Sequence, residues 1–194
     1  MIKKKLINNS LIKKIKPEEK MNEFSSINLY LIGIIDSEME EKIITKLLES
    51  KNLDTLEVIN MYISSEGGEL YSCFAMIDLI THLKNVLGLK INTFGMGEVC
   101  SGGFFMFILG DNRTLFPKCR IFVHEHMSQG DSDLPYSEKM TEFKEERILN
   151  KIYIDYVAER LEISSFNAKK FLQKNKWLSI KEIDEYNITN REII

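Results

Sequence analysis

Two side chains in this sequence stand where a nucleophile and its base would be placed. Ser101 lies in Cys100-Ser101-Gly102-Gly103, at the point where a strand and turn should hand over to a helix. A helix N-terminus is electropositive and its first backbone N–H groups have no intrahelical acceptor, so a hydroxyl there can attack a carbonyl while nearby amides receive the oxyanion. The same residues also read as an N-cap serine with glycines for close packing, and the local sequence alone favours that plainer reading. His124 ends the strand-like run Arg120 to Val123, and histidine is the usual base for a serine, although a histidine there can equally have no role. The spacing His124-x-His126 puts two imidazoles on one face of a strand, but no third ligand is close in sequence, so no metal is expected.

Other chemistries find less support. Gly95-x-Gly97 begins like a dinucleotide fingerprint, but Cys100 stands where the third glycine belongs and no acid follows near 115–120 to hold a ribose. There is no phosphate-cradling Gly-x-x-x-x-Gly-Lys-Ser/Thr, so no cofactor is expected. Cys73, Cys100 and Cys119 are odd in number, far apart and without Cys-x-x-Cys spacing, which argues against a disulfide framework and points to a reducing compartment.

Positioning these residues requires an α/β frame. Ile27 to Ile35 reads as a buried strand, and Asp36 and Ser37 cap a helix carrying Met39, Ile43, Ile44, Leu47 and Leu48 to about Lys51. Val58 to Ile63 is a second strand, Ser64 to Gly68 a turn, and Leu70 to Leu83 a second helix. Lys90 to Phe94 reads as a third strand, Gly95 to Gly97 as a turn, and Ser101 to Leu109 as an apolar helix. This β-α-β-α-β-α order signals a parallel sheet with helices on its faces. Thr114 to Phe116 and Arg120 to Val123 are short strands, and His126 to Asp133 a polar connection. Pro135 to Glu162 reads as one long helix with Met140, Phe143, Leu149, Ile152, Tyr153, Tyr156 and Val157 on one side. It would extend about 42 Å, longer than one domain needs, so part of it should pack on another chain. Two short helices follow, Ser164 to Gln173 and Ser179 to Tyr186, the second with a Ser179-x-x-Glu182 capping box.

The 194 residues fit one domain plus an arm, and 44% hydrophobic with 28% charged residues is ordinary globular usage that excludes a disordered or collagenous chain. No apolar run reaches the roughly 18 residues of a membrane span. Net charge is −3, yet residues 1–17 hold six lysines and no acid, leaving 20 basic against 29 acidic residues beyond. A basic arm over 1–25 therefore precedes a domain over 26–194. Such an arm can contact nucleic acid, lipid or an acidic partner, but it reads as a solvated tail, and neither nucleic acid nor membrane is expected as a partner. It lacks the composition of a transit peptide or secretory signal, so a cytoplasmic location is expected.

Taken in order, Ser64-Ser65-Glu66-Gly67-Gly68, Gly97-Glu98-Val99-Cys100-Ser101-Gly102-Gly103 and Pro117-Lys118-Cys119-Arg120-Ile121-Phe122-Val123-His124 resemble the proteolytic subunit of the Clp protease. In that family a Ser-Pro-Gly-Gly loop precedes a nucleophile in Gly-x-x-x-Ser-x-Gly, and a histidine ends a Ser-Arg-Val-x-Ile-His strand. Trp177-Leu178-Ser179 and Glu185-Tyr186 extend the likeness over about residues 26–190. The resemblance implies a ClpP/crotonase-like fold, a β-α-β superhelix with a long handle helix from Pro135. It implies that Ser101 is the nucleophile, that His124 is its base, and that the backbone N–H groups of Gly68 and Gly102 form the oxyanion hole. It also implies heptameric rings, homomeric or mixed and stacked through the handle, with an ATP-dependent unfoldase as partner. Peptide or unfolded protein would lie extended along the segment after His124.

The sequence departs from that pattern in places. Counting back six residues from Trp177 sets Phe171 where the family's orienting aspartate is expected, Asn175 where another acid is common, and Asn167, Asp131 or Asp133 as substitutes. Glu66 replaces a proline, Glu125-His126 replaces Gln-Pro, two residues are missing between Ser101 and His124, and the arm does not match the usual gating loop. Beside a serine endopeptidase stand three alternatives: a catalytically weak or structural subunit of a Clp-type complex, a viral capsid-processing relative, and a crotonase-like acyl-CoA enzyme. The pair Ser101 and His124 argues against the last.

Overall fold

Strand β1 (Ser26–Ile35) opens the domain, with Leu29, Leu31 and Ile35 buried while Tyr30, Ile32 and Ile34 face outward, the period of two that one covered face requires. The computed structural model describes residues 25–127 and 135–190. The arm through Phe24, and Asp131 and Asp133, lie outside the described residues. Helix α1 (Ser37–Leu48) starts where the Asp36 carboxylate accepts from the Met39 N–H at 2.9 Å and buries Ile43 and Leu47, one turn apart. A 3-10 turn at Leu53–Thr55 leads to β2 (Val58–Gly68), then α2 (Leu70–Leu87), which ends on left-handed Gly88. Next come β3 (Lys90–Cys100), the fully buried α3 (Gly102–Ile108), β4 (Asn112–Leu115) and β5 (Arg120–Val123). The chain continues through α4 (Tyr136–Arg160), α5 (Ser165–Leu172), β6 (Lys176–Trp177) and α6 (Ile180–Glu185).

The sheet runs β1-β2-β3-β5-β6, with β4 also on β3, and every pairing is parallel except β5 with β6. Register is fixed by side chains as well as backbone. Asn28, Asn60, Asn92 and Asn112 align across four strands and pass amide hydrogen bonds of 3.1, 2.8 and 2.7 Å. Two positions on, Tyr30, Tyr62 and Phe94 stack at 5.5 and 4.9 Å between ring centres. A one-residue slip would break both ladders, so the alignment of the strand ends follows.

Three sequence expectations change. The glycine-rich segments read as turns at Ser64–Gly68 and Gly95–Gly97 remain within β2 and β3, which absorb them as register shifts because neighbouring strands supply ladder partners on both sides. The apolar side of α4 divides: Leu149, Tyr153 and Val157 are buried, whereas Met140, Phe143 and Ile152 are exposed. Its first buried residue is Leu149, so the N-terminal half projects from a helix about 37 Å long. The strand β6 was not foreseen, because two residues carry no periodicity.

Phe171, the residue where the orienting aspartate is expected, is part of the core. With Ala168 and Leu172 it forms the buried face of α5, fully inaccessible, its ring 4.5 Å from that of Tyr186 and 6.0 Å from that of Phe104. Phe171→Asp loses the ring and buries an unpaired carboxylate, so it should cost at least the about 3 to 5 kcal/mol of a Phe truncation. Chemical denaturation that gave the wild-type midpoint would contradict this placement.

Candidate active site

The β3 strand delivers Ser101, which follows its last residue and precedes α3. Its backbone is at φ 49°, ψ −117°, a left-handed conformation that costs a non-glycine residue about 1 to 3 kcal/mol and persists only where the surroundings enforce it. The enforcement is visible. The Ser101 N–H donates to the Phe122 carbonyl of β5 at 3.3 Å, and its carbonyl accepts from the Phe104 and Phe105 N–H groups at 3.0 and 3.3 Å. The side chain makes no capping hydrogen bond, so the plainer N-cap reading does not hold. A half-buried hydroxyl thus finds no hydrogen-bond partner among the described residues, at the positive end of a helix and on a strained strand-to-helix turn of the kind that exposes nucleophilic serines.

The glycines lie against it. A methyl group at Gly67 would come 2.5 Å from the Ser101 Cβ and 2.9 Å from the Gly102 nitrogen, and one at Gly102 would come 3.6 Å from the Gly68 nitrogen. The β2 end and the start of α3 therefore lie against each other next to Ser101. Gly67, at φ 99°, needs its conformational freedom as well as the space. Ser65, which the sequence reading left without a role, is buried and holds this segment: its hydroxyl donates to the Gly33 carbonyl at 2.6 Å and accepts from the Gly67 N–H at 3.0 Å.

His124 follows the last residue of β5. Because β3 and β5 pair in parallel with Cys100 opposite Phe122, Ser101 and His124 emerge from the C-terminal ends of adjacent strands, where α/β sheets place their sites. His124 Nδ1 lies 2.6 Å from the Glu125 carbonyl oxygen. A carbonyl only accepts, so this contact suits the tautomer with its proton on Nδ1, the one whose Nε2 has the lone pair a general base needs.

Strand β6 pairs antiparallel with β5, Phe122 with Trp177 and Val123 with Lys176, so Asn175 and His124 are the next residues beyond the last pair. Asn175 is left-handed at φ 48°, a conformation asparagine tolerates better than most residues. Its flanking residues are anchored: the ammonium groups of Lys176 and Lys174 both reach the Glu182 carboxylate, at 2.9 and 3.0 Å, and with Ser179 they hold that carboxyl well below its usual range. Of the other substitutes weighed from sequence, Asn167 is exposed in the first turn of α5.

Two neighbouring groups are also assigned. Cys100 is buried, and burial followed by the Glu98 carboxylate pushes its thiol up to about 11, so it is a protonated thiol at neutral pH and a poor nucleophile. His126 turns away from a metal role: its Nε2 lies 2.5 Å from the Glu146 carboxylate of α4, and among the described residues no three potential ligands cluster. Among the described helices none is long and apolar enough to cross a membrane.

This arrangement can be compared with known proteins. The sequence model of a family described as Clp protease matches residues 15–193. The chain is similar to ATP-dependent Clp protease proteolytic subunit 2 of Treponema denticola, 27% identical over 167 residues that make up 84% of this chain and 80% of that protein. It is also similar to ATP-dependent Clp protease proteolytic subunit 3 of Rhizobium etli, 26% identical over 180 residues, 90% of this chain and 87% of that protein. Among solved structures it resembles a mutant of ClpP1 from Listeria monocytogenes with a TM-score of 0.70 and 24% identity, over 86% of this chain and 90% of that one, a likeness of fold.

Proposed function

Because this chain belongs to the Clp protease family, we propose that it is a serine-type endopeptidase acting on peptides or unfolded proteins. Ser101 attacks the scissile carbonyl while His124 Nε2 takes its proton, and the Gly68 and Gly102 amides receive the oxyanion. The imidazolium then gives its proton to the leaving amine. Water, deprotonated by the same nitrogen, releases the acyl group and restores Ser101. The observation that carries this reading is the strained, uncapped Ser101 at the head of α3, on a strand paired with the one that ends at His124.

The reading extends to rings of seven, stacked in pairs and served by an ATP-driven unfoldase. Its support is the projecting half of α4, which exposes Tyr136, Phe143, Ile148 and Ile152, more apolar surface than a helix bears when nothing covers it. A fluorophosphonate probe, which phosphonylates an activated serine with loss of fluoride, should label Ser101, and light scattering should give a mass far above the 22.6 kDa of one chain. An unlabelled protein of monomeric mass would refute both parts.

One observation favours a second reading. Asn175 brings no negative charge to the end of the β5–β6 pairing where His124 also lies, which suits a weakly active subunit that works beside a more active one in a mixed ring. In that case labelling is slow in the isolated protein, while assembly is retained.

A further inference from the structure

Ser101 and His124 belong to different elements, and a serine and its base must be held to within a fraction of an ångström for proton transfer. Backbone pairing joins their strands at Glu98–Arg120, Val99–Ile121 and Cys100–Phe122, with the Ser101 N–H on the Phe122 carbonyl, but His124 lies beyond the last paired position. A third element reaches His124 directly and Ser101 through Phe105. Tyr153, buried on α4, donates its hydroxyl to the His124 carbonyl at 2.9 Å. Its ring meets Phe105 nearly edge-on with centres 4.2 Å apart, and the Phe105 N–H donates to the Ser101 carbonyl at 3.3 Å. Burial raises the phenol's pKa, which keeps it a donor.

We propose that Tyr153 is a positioning residue, fixing the spacing and angle between His124 and Ser101 by holding the backbone of one through its hydroxyl and the helix of the other through its ring. This rests on the reading of Ser101 and His124 as the reacting pair. The two contacts belong to one rigid side chain, so the separation they impose is bounded by the size of a phenol. The edge-on approach is the geometry aromatic rings prefer, with the positive edge of one at the negative face of the other. Freed from Tyr153, the His124 carbonyl would lose its hydrogen bond to α4, next to a segment that the His126–Glu146 pair also ties to that helix.

Tyr153→Phe tests this with the loss of one oxygen, because the ring, its burial and its contact with Phe105 remain. In the full-length assembled protein the rate of fluorophosphonate labelling, and kcat for a short fluorogenic peptide, should fall by roughly 10-fold or more with KM unchanged. Tyr156→Phe is the comparator: Tyr156 also donates a hydroxyl from α4 to a backbone carbonyl, that of Phe105 at 3.0 Å, without reaching His124. It should lose similar stability but much less rate. Equal losses in the two variants, a rise in KM with kcat unchanged, or a Tyr153→Phe protein that does not fold would each assign the hydroxyl to stability and overturn the proposal. If wild-type Ser101 labels and Tyr153→Phe labels as fast, positioning alone fails. If wild-type Ser101 does not label at all, the peptidase reading fails and the proposal falls with it.

Discussion

Asn175→Asp is expected to accelerate both fluorophosphonate labelling and peptide hydrolysis, by about 10- to 100-fold. An orienting carboxylate normally does two things for a catalytic histidine: it selects the tautomer and it stabilises the imidazolium. Here the first is already favoured, because the Glu125 carbonyl oxygen lies 2.6 Å from Nδ1. A neutral carbonyl supplies little of the second. The recoverable part is a hydrogen bond to a charged group, about 1.5 to 3 kcal/mol, rather than the full 10⁴-fold that loss of the aspartate costs a complete triad. Residue 175 stands next to Lys176, the β6 partner of Val123, and aspartate accepts the left-handed φ of 48° much as asparagine does. Lys174 and Lys176 on either side favour its ionised form, so the gain is present at neutral pH and fades as the carboxylate protonates, near or below pH 4. A folded, assembled variant whose rates stay within about twofold of wild type would take Asn175 out of the site.

Ser101→Ala should abolish labelling and reduce hydrolysis by at least about 10³-fold, leaving only what the oxyanion donors and binding provide. Assembly should persist, since the change removes one hydroxyl without a partner among the described residues and leaves the backbone bonds to Phe122, Phe104 and Phe105 in place. Cys100→Ala is the matched control one residue away. Its thiol is buried and protonated at neutral pH, so its loss should leave rates within a few-fold of wild type. Hydrolysis that survived in Ser101→Ala and vanished in Cys100→Ala would identify the wrong nucleophile.

Much of this was legible because it is encoded over short stretches of chain. Asp36, Ser164 and Ser179 each cap a helix through a bond to the residue three positions on, so α1, α5 and α6 could be placed from composition and spacing. The alternation of apolar runs gave the parallel sheet. Ser101 and His124 stood out as candidates by residue type at a strand-to-helix turn and a strand end, and the roles of Ser101, His124, Gly68 and Gly102 were implied by the family resemblance.

A third residue for the site was not legible in that way. Counting from Trp177 leads to Phe171, which with Ala168 and Leu172 forms the inward face of α5. Which residue faces His124 depends on how β6 pairs with β5 across more than fifty residues, and two residues of strand carry no periodic signal to fix it. The same holds for the Ser101 hydroxyl, whose freedom follows from a backbone angle enforced by β5, and for Tyr153, which from sequence is one apolar residue in a stripe. The sequence alone determined the α/β frame and singled out Ser101 and His124 as candidates, because propensity, capping and turn chemistry act between near neighbours. Only the tertiary structure decided what holds them in line, because register and packing are settled between elements that the chain itself keeps far apart.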